Sequence, residues 1–532
     1  MSASANDTSL ADPRRWWILG VLCFGLLAIV IDNSILNVAI PTLVRELNAT
    51  NTDLQWIVDS YTLVFAGLLL TAGSLGDRYG RRLALQFGFM IFGIGSILAA
   101  LSGTANELIG TRAFMGIGGA FIMPATLSII ANVFPANERG KAIGIWAATA
   151  GAAVALGPLV GGFLLEHFYW GSIFLVNIPV VVIGLLAGFF LIPNSKDPAS
   201  PKLDPVGAVL SIVGLSGLLY AIIEGPTKGW TESTTVSSFV ISVIFLTAFF
   251  IWEVRSSHPM LSLAFFRNPR FSIACLAITV TFFSMFGSIF VLTQYFQFVL
   301  GYSPLQTGIR LLAFAIPMMV LAPMSDRFVR LLGTKMVVVV GLTLVALGLA
   351  LSTALGESSS YFDIAWRMVI MASGMALTMA PATTSIMGAL PLAKSGVGSA
   401  VNDTTRQIGG ALGVAIVGSV FNSIYGNQVA DAISGKGIPA KLVAPAEESL
   451  GFALEIAKKI GGAAGDSLAA VARMAFVDGF HAGLWVGSSV ALMGAIAALI
   501  WLPARPRQED EKLQEAEYYR DRSDALIAAE KN

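Results

Sequence analysis

Charged residues are scarce in this chain. They make up 12% of its 532 residues, whereas an ordinary soluble domain contains roughly 25%. The formal net charge is zero, so bulk charge indicates nothing about partners. The hydrophobic content is 55% and the mean hydropathy is +0.75. Together these values exclude a soluble globular protein.

Residues that build metal, nucleophile or nucleotide sites are also few. The two cysteines, Cys23 and Cys275, fall in separate apolar runs, where we expect them to pack as small hydrophobic side chains. The three histidines, His167, His258 and His481, are scattered, which argues against a membrane enzyme or a non-transporting sensor. The glycine-rich phosphate loop of ATPases is absent. We therefore expect no metal, no cofactor, and an ion gradient rather than ATP as the energy source.

Apolar runs of about 20 residues recur along almost the whole chain, and each can cross a hydrocarbon core about 30 Å thick as a helix. Backbone groups in lipid must be paired internally, and these runs are too long and too uniformly apolar for barrel strands. We predict about fourteen transmembrane helices. Their approximate ranges are 15–41, 54–75, 83–102, 107–131, 140–166, 170–192, 204–224, 236–254, 270–299, 303–324, 334–356, 361–388, 396–425 and 478–503.

Basic residues predict the orientation of these spans. If the N-terminus, with Arg14 and Arg15, lies in the cytoplasm, most Lys and Arg residues of the connections also lie inside. The polar start runs directly into a full-length span, which indicates no cleaved signal peptide. We expect a multi-pass protein of the bacterial inner (plasma) membrane with both termini cytoplasmic, including a surface helix in the tail.

The chain repeats itself at a spacing near 250 residues. Asp77–Tyr79 is matched by Asp326–Phe328, and Pro124–Thr126 by Pro381–Thr383. Parallel six-helix halves with a substrate site between them are the plan of major facilitator transporters. The predicted units are an N-terminal half (1–192), two inserted helices (193–258), a C-terminal half (259–503) with an outward hairpin loop (426–477), and a cytoplasmic tail (504–532).

Five motifs resemble those of this superfamily. Gly73–Arg82 resembles its signature loop between helices two and three, and Gly157–Gly162 resembles the antiporter motif of helix five. Asp32–Pro41, Gln55–Tyr61 and Phe174–Pro179 look like motifs of the fourteen-helix drug:proton antiporters. The resemblance covers nearly the whole chain and is greatest to quaternary-ammonium-compound efflux pumps. It implies an all-α polytopic protein with two six-helix halves and two inserted helices, and not an enzyme.

Acidic residues within the predicted spans are candidates for function, because a charge in mid-membrane is costly unless it is paired, protonated or hydrated. Desolvation raises a carboxyl pKa and a nearby cation lowers it, so a drug and a proton can compete for one carboxylate. The resemblance implies such roles for Asp32 and Asp59. The alternative is that both only line the outer vestibule.

Two further acids and one arginine complete the predicted substrate and proton-coupling set. Asp403 is included, although it could simply be the local partner of Arg406 three residues later. Glu224 is included, although it could be an interfacial residue. Arg112 cannot lose its charge and therefore needs a carboxylate or carbonyl groups nearby. The resemblance of the chain to the antiporter family implies that Arg112 takes part in proton coupling, as the matching arginine of that family does.

A second set of residues is predicted to control conformation. In related folds the signature loop locks the two halves through charge pairs and helix-end dipoles, while small residues and a proline let helix five pack closely and bend. A positive-inside anchor and simple packing are the respective alternatives. The predicted gating residues are Gly73, Asp77, Arg78, Gly80, Arg81, Gly157, Pro158, Gly161 and Gly162.

The function predicted from these features is proton-coupled antiport. The exported compounds are small, lipophilic and mainly cationic drugs, and the partners are protons and the lipid bilayer, with no nucleic acid. The alternative is a dedicated exporter of one endogenous product, such as a lipid, a siderophore or a self-made antibiotic, because fold does not decide substrate. We expect a monomer. The segment before the last span is predicted to form a helical hairpin broken around Gly461 and Gly462.

Overall fold

The computed structural model describes residues 12–47, 49, 51–197, 204–256, 258–433, 446–447 and 450–505. Within these ranges the chain is helical and contains no strand. Thirteen helical segments there are long and apolar enough to cross a membrane. The predicted all-α polytopic fold is confirmed.

The helices follow one another with short connections, as expected for a membrane bundle whose backbone groups must be paired within each span. In chain order they are α1 (Arg15–Leu47), α2 (Asn51–Tyr79), α3 (Arg81–Ala100), α4 (Ala105–Val133), α5 (Ala136–His167), α6 (Ser172–Leu175), α7 (Asn177–Leu191), α8 (Pro205–Lys228), α9 (Ser233–Arg255), α10 (Pro269–Gln294), α11 (Pro304–Arg310), α12 (Leu312–Ser352), α13 (Tyr361–Gly388), α14 (Ser395–Ile433), α15 (Leu450–Ile460) and α16 (Gly462–Trp501).

One of the thirteen segments contains two spans. Leu305–Ser352 has 48 residues, which at 1.5 Å per residue would measure about 70 Å, more than twice the hydrocarbon thickness. Gly333 interrupts it with φ 80° and ψ 157°, a conformation that L-residues with a Cβ avoid. The N–H of Thr334 donates to the carbonyl of Ala504, 3.0 Å away, so the bend packs against the end of α16. Counting both arms of α12 gives fourteen spans in the described part of the chain.

The region before the last span differs from the prediction. A break does occur at Gly461 and Gly462, whose φ values are 66° and 58°. The next helix, however, starts at Gly462 and not at 478, so the predicted second hairpin arm is continuous with the last span. Residues 462–477 contain no proline to end the helix, and Phe476 is buried. Residues 434–445 and 448–449, and the tail from 506 onward, lie outside the described residues.

Two of the helix pairs that join the proposed halves pack most extensively. α5 packs along α12, and α2 packs along α14. A Cβ at Gly73 of α2 would lie 2.5 Å from the carbonyl oxygen of Gly396, and one at Gly144 of α5 would lie 2.5 Å from that of Ala322. Only residues without a side chain allow these backbones to approach so closely. The inserted helix α8 packs on α2 and α14, and α9 packs mainly on α8.

Both helix pairs close at the same end of the bundle, where α2 ends and α3, α5 and α14 begin. Ser128 of α4 and Ser395 of α14 are hydrogen-bonded there at 2.7 Å. The side chain of Arg15 binds Glu138 at the start of α5, with an Nε–Oε2 distance of 2.7 Å. Because Arg14, Arg15, Arg81, Arg82 and Arg139 lie here, we call it the basic end.

Candidate transport site

Arg112 of α4 is fully buried, with 0% of its surface exposed. Its Nη1 donates to Oδ2 of Asp32 in α1, forming an ion pair. Its Nη2 donates to Oδ1 of Asn33 at 3.3 Å, and its Nε donates to the carbonyl of Ile57 at 3.3 Å. The guanidinium also stands 4.4 Å from the ring centroid of Tyr61. Arg112 therefore finds the carboxylate that its permanent charge requires.

Asp32 is held from a third helix as well. Its Oδ1 accepts a hydrogen bond of 2.9 Å from Asn177 at the start of α7. The same amide nitrogen lies 3.2 Å from the hydroxyl of Ser96 in α3. With Asp32 only 2% exposed, the pair has the complete hydrogen bonding that a buried ion pair needs to be tolerated. Asp32 and Arg112 thereby join α1, α3, α4 and α7.

Sequence reasoning placed Asp32 and Arg112 in one functional set but did not assign site roles to Asn177, Ser96 or Tyr61. Both Asn177 and Tyr61 belong to motifs that resemble the antiporter family, Phe174–Pro179 and Gln55–Tyr61, so the sequence did mark their positions. Asn177 begins an apolar helix, and a buried amide at such a position is unusual, which is a signal for a functional contact. Ser96 carries no such signal, because serine pairs readily with the carbonyls of its own helix.

Asp59, on α2, has different surroundings from those of Asp32. Its side chain is hydrogen-bonded to Gln55, and its charge interacts with that of Glu224 in α8. Among the described residues, its Oδ2 has no hydrogen-bond partner. The ring of Trp56 stands beside that of Tyr220, with centroids 5.9 Å apart. Asp59 is therefore a partly satisfied carboxylate whose charge interacts with that of Glu224.

Glu224 is buried and paired within its own helix. The Nζ of Lys228 lies 3.2 Å from its Oε2, one turn along α8. Lys228 also donates to the hydroxyl of Tyr220 at 3.2 Å, and this hydrogen bond raises the pKa of the lysine, which lies just beyond the span Pro205–Pro226. Glu224 is buried and its charge interacts with that of Asp59, which brings the inserted helix α8 to the edge of the candidate site.

Asp403 and Arg406 form the local pair that the sequence left open. Their closest N–O distance is 3.8 Å. The guanidinium lies over the rings of Trp146 and Phe282, at 4.6 and 5.3 Å from their centroids. Trp146 belongs to α5, so this pair contacts the opposite proposed half.

The signature loop joins the halves at the basic end. Asp77 accepts hydrogen bonds from the N–H groups of Gly396 and Val397, at 2.8 and 3.0 Å, and so receives the positive end of α14. Arg81 pairs with Asp77 at 2.9 Å and donates to the carbonyls of residues 392 and 393. Both side chains are almost completely buried. Gly80 has φ 122°, which permits the tight turn between α2 and α3.

The repeat supplies a second contact of the same kind, which sequence reasoning did not identify as a site. Arg330 pairs with Asp326 at 2.7 Å and donates to the carbonyl of Asn137. A Cβ at Gly140 would overlap Asp326. The positions are offset by 249 residues for the ion pairs and by 256 for the accepting carbonyls at 137 and 393. The guanidinium of Arg78 lies over the neighbouring ring of Tyr79, 5.3 Å from its centroid.

The glycines of helix five contact α1 close to Asp32. A Cβ at Gly157 would overlap Ser34, and one at Gly161 would lie 3.3 Å from Ile35. Pro158 faces Gly308 of α11. α5 therefore lies between the helix that carries Asp32 and the C-terminal half.

The described residues contain no group of three or more His, Cys, Asp or Glu that could hold a metal. The site consists instead of ionisable and aromatic side chains on membrane-spanning helices. Carboxylates in membrane-spanning helices are typical of proton and ion pathways, and aromatic rings are typical of cation sites.

Several known export and resistance proteins are similar to this chain over most of its length. The multidrug efflux pump LfrA of Mycolicibacterium smegmatis is 34% identical over 499 residues, covering 94% of this chain and 96% of that protein. The tetracenomycin C resistance and export protein of Streptomyces glaucescens is 31% identical, covering 94% of each. The methyl viologen resistance protein SmvA of Salmonella typhimurium is 32% identical, covering 91% of this chain and 97% of that protein.

The fold is also shared with solved transporters. The human organic anion transporter MFSD10 superposes with a TM-score of 0.60 at 12% identity, covering 92% of this chain and 100% of that one. The family model described as Major Facilitator Superfamily matches residues 22–414. The chain therefore belongs to the Major Facilitator Superfamily, a family of membrane transporters and not of enzymes.

Proposed function

We propose that this protein exports lipophilic cations across the bacterial inner membrane in exchange for protons. The observation that carries the proposal is the buried pair of Asp32 and Arg112. Arg112 keeps its charge under all cellular conditions, so only Asp32 can change its protonation state within the pair. A proton on Asp32 removes the charge that balances Arg112 and changes how α1 is held to α4.

Protonation of Asp32 would affect the packing of α1 within the N-terminal half. With Asp32 neutral, Arg112 keeps only the carbonyl of Ile57, the amide of Asn33 and the ring of Tyr61. α1 is then tied less strongly to α4, and α1 is the helix against which Gly157 packs. Buried pairs of this kind have two discrete arrangements rather than a continuum, which suits alternating access between two states.

Asp59 supplies the second requirement, attraction of a cation. Its partly satisfied carboxylate interacts with the charge of Glu224, and the rings of Trp56 on α2 and Tyr220 on α8, the helices that carry these two acids, have centroids 5.9 Å apart. A carboxylate with aromatic neighbours favours flat organic cations. The name of the relative SmvA supports this ligand class, because methyl viologen is a bipyridinium dication. We assign Asp32 and Arg112 to proton coupling, and Asp59 with Glu224 to binding of the cation in exchange for a second proton.

Energy balance supports a proton gradient as the driving force. One charge crossing about 100 mV yields about 2.3 kcal/mol, and a tenfold concentration gradient costs about 1.4 kcal/mol. For a monovalent cation, at least two protons must enter per cation exported if net positive charge is to flow inward. The carboxylates of Asp32 and Asp59 are enough to carry two.

The contacts at the basic end would hold the transporter closed on the cytoplasmic side. We place this end in the cytoplasm, with both termini, because basic residues are retained on that side. Asp77 with Arg81 and Asp326 with Arg330 each join one proposed half to the other. Opening toward the cytoplasm requires both contacts to break, and α8 and α9 move with the N-terminal half through α2.

Export of a single endogenous product is the second candidate function. The resemblance to a tetracenomycin C resistance and export protein favours it. The same proton pair would serve, but the substrate would be one neutral or anionic compound and Asp59 would contribute little to its affinity. The two functions are distinguished by charge selectivity.

Inverted membrane vesicles with an imposed pH gradient test the proposal. We expect uptake of ethidium and tetraphenylphosphonium into the vesicles, and its collapse on adding an uncoupler. Asp59→Asn should raise the KM for both cations, whereas Glu253→Gln, a matched change of a buried carboxylate in α9, should not. Transport that persists without a proton gradient would disprove the coupling. Absence of transport of every lipophilic cation would favour the dedicated exporter.

A further inference from the structure

Arg406 of α14 is enclosed by aromatic rings from both proposed halves. Its guanidinium carbon lies 4.6 Å from the centroid of Trp146 in α5 and 5.3 Å from that of Phe282 in α10. Trp146 is fixed by a hydrogen bond from its Nε1 to the hydroxyl of Thr126, 3.1 Å away. All these side chains are buried. Two rings around one positive group form an aromatic cage of the kind that binds organic cations.

The carboxylate of this cage is poorly matched to the arginine. Asp403 is 1% exposed, but its closest contact to Arg406 is 3.8 Å, beyond hydrogen-bonding distance. Among the described residues, neither Oδ2 of Asp403 nor Nε of Arg406 has a hydrogen-bond partner. Nη2 of Arg406 donates to Thr383 at 3.2 Å, and Asn402 donates to Asp403 at 3.3 Å.

This geometry differs from that of the other two buried pairs. Arg112 and Arg81 each make several hydrogen bonds, including one to the carboxylate with which they pair. A buried ion pair stabilises a protein only when its hydrogen bonds are nearly complete. Arg406 is held mainly by two aromatic rings and a carboxylate at 3.8 Å. The same groups would bind another cation of suitable size equally well.

We propose that Trp146, Phe282 and Asp403 form a binding site for the substrate cation, which Arg406 occupies as a tethered competitor when the basic end is closed. The proposal rests on the proposed export of cations. When the halves separate at the basic end, Trp146 moves away from Arg406 and a cation from the cytoplasm can pair with Asp403. Closure returns Arg406 between the rings. One buried carboxylate neutralises only one of two positive charges, so the substrate is displaced toward Asp59.

Binding to the purified full-length protein in lipid nanodiscs tests this competition without any gradient. The probes are tetraphenylphosphonium and the neutral triphenylphosphine oxide. Arg406→Gln should bind tetraphenylphosphonium at least about fivefold more tightly than the wild type, because the competitor is gone. Its affinity for triphenylphosphine oxide should not change. Adding Asp403→Asn to this variant should reverse the gain.

Arg310→Gln is the matched control. Arg310 also stands over two rings, 3.7 Å from the centroid of Tyr302 and 5.5 Å from that of Tyr361, but it lies on α11, away from Asp403. Its substitution should leave both affinities unchanged. Equal or weaker binding of tetraphenylphosphonium by Arg406→Gln would overturn the proposal. An equal gain for both probes would also overturn it, since a loosened core would not discriminate by charge.

A second measurement uses the wild type and does not depend on a variant that folds. A photoreactive azido derivative of tetraphenylphosphonium should label peptides that contain Trp146 or Phe282. Excess tetraphenylphosphonium should prevent the labelling, and triphenylphosphine oxide should not. Labelling elsewhere only would overturn the cage as a substrate site. If the vesicles transport cations but the cage tests fail, only the cage is wrong; if no cation is bound or transported, the proposed function fails with it.

Discussion

At the residue scale, Arg112 limits what the site can do. Its guanidinium is fully buried, keeps its charge, and is balanced by Asp32 alone among the carboxylates that contact it in the described chain. Breaking a buried pair by removing one partner costs about 3–5 kcal/mol, whereas removing both partners is often nearly neutral. Stability and transport should therefore respond differently to single and double substitutions.

The first prediction concerns this pair. Asp32→Asn should reduce pH-driven cation transport at least about tenfold and lower the thermal stability of the purified protein, because Arg112 is left unbalanced. Combining it with Arg112→Gln should restore stability but not transport. The measurements are vesicle uptake and the melting temperature in detergent. Glu253→Gln is the control, and full transport by Asp32→Asn would remove Asp32 from the coupling mechanism.

At the element scale, the basic end is closed by two contacts related by the internal repeat. They differ in burial: the side chains of Asp77 and Arg81 are 3% and 2% exposed, whereas those of Asp326 and Arg330 are 19% and 56% exposed. Water weakens the second pair by screening, and exposed pairs contribute at most about 1 kcal/mol. The first contact should therefore dominate closure.

The second prediction follows from that difference. In a chain with Cys23 and Cys275 replaced by Ala, a cysteine introduced by Ser128→Cys reports on opening, because Ser128 contacts Ser395 across the interface. Asp77→Asn should increase its alkylation rate about tenfold or more, since Arg81 loses its buried partner.

Asp326→Asn is the matched variant at the repeated position. It should change the alkylation rate by less than about threefold, because its pair is partly solvated. Equal effects of the two substitutions would show that burial of the first pair does not decide which contact holds the halves together.

The third prediction concerns the bend in α12. Gly333→Ala should destabilise the protein by about 1–3 kcal/mol, because its backbone conformation is one that essentially only glycine adopts. A Cβ would also meet the carbonyl oxygen of Ala504 at 2.6 Å. Thermal unfolding in detergent measures the loss. Gly20→Ala in α1, where a Cβ would have no neighbour within 4 Å, should be neutral or slightly stabilising.

At the scale of the whole molecule, the proposed exchange moves net charge across the membrane. Two carboxylates, Asp32 and Asp59, are available to carry protons past the bilayer midplane in one cycle. Each net charge gains about 2.3 kcal/mol per 100 mV. The charge of the substrate therefore decides whether membrane potential drives the cycle.

The fourth prediction uses that dependence. With two protons per cycle, net positive charge leaves the lumen of an inverted vesicle for each tetraphenylphosphonium taken up. Uptake of this monovalent cation should therefore accelerate when a lumen-positive potassium diffusion potential is imposed. Export of the divalent methyl viologen should respond little, because two charges leave as two enter. An equal response to both substrates would rule out a fixed stoichiometry of two. A substrate-independent lack of response would indicate electroneutral exchange.

The candidate site was only partly predictable from sequence. The permanent charge of Arg112 required a partner, but nothing along the chain could say whether a carboxylate or carbonyl groups would supply it. Asp32 is 80 residues away in the chain, and Asn177 a further 65 beyond Arg112. Arg406 looked like a local partner of Asp403 because spacing reports neighbours on one helix. Its enclosure by Trp146 and Phe282 depends on two other helices.

The fold was determined largely by the sequence itself, because backbone groups in lipid are fully paired only in a helix or a closed barrel, and the apolar runs are too long for barrel strands. The length of the apolar runs therefore predicted fourteen spans. Charged residues are scarce within these runs, so the few that occur there stood out as candidates for function. Which of these residues meet was decided only by the tertiary structure. Helix packing brings together side chains far apart in sequence, and it alone determines whether a buried charge is fully paired, as at Arg112, or loosely held, as at Arg406.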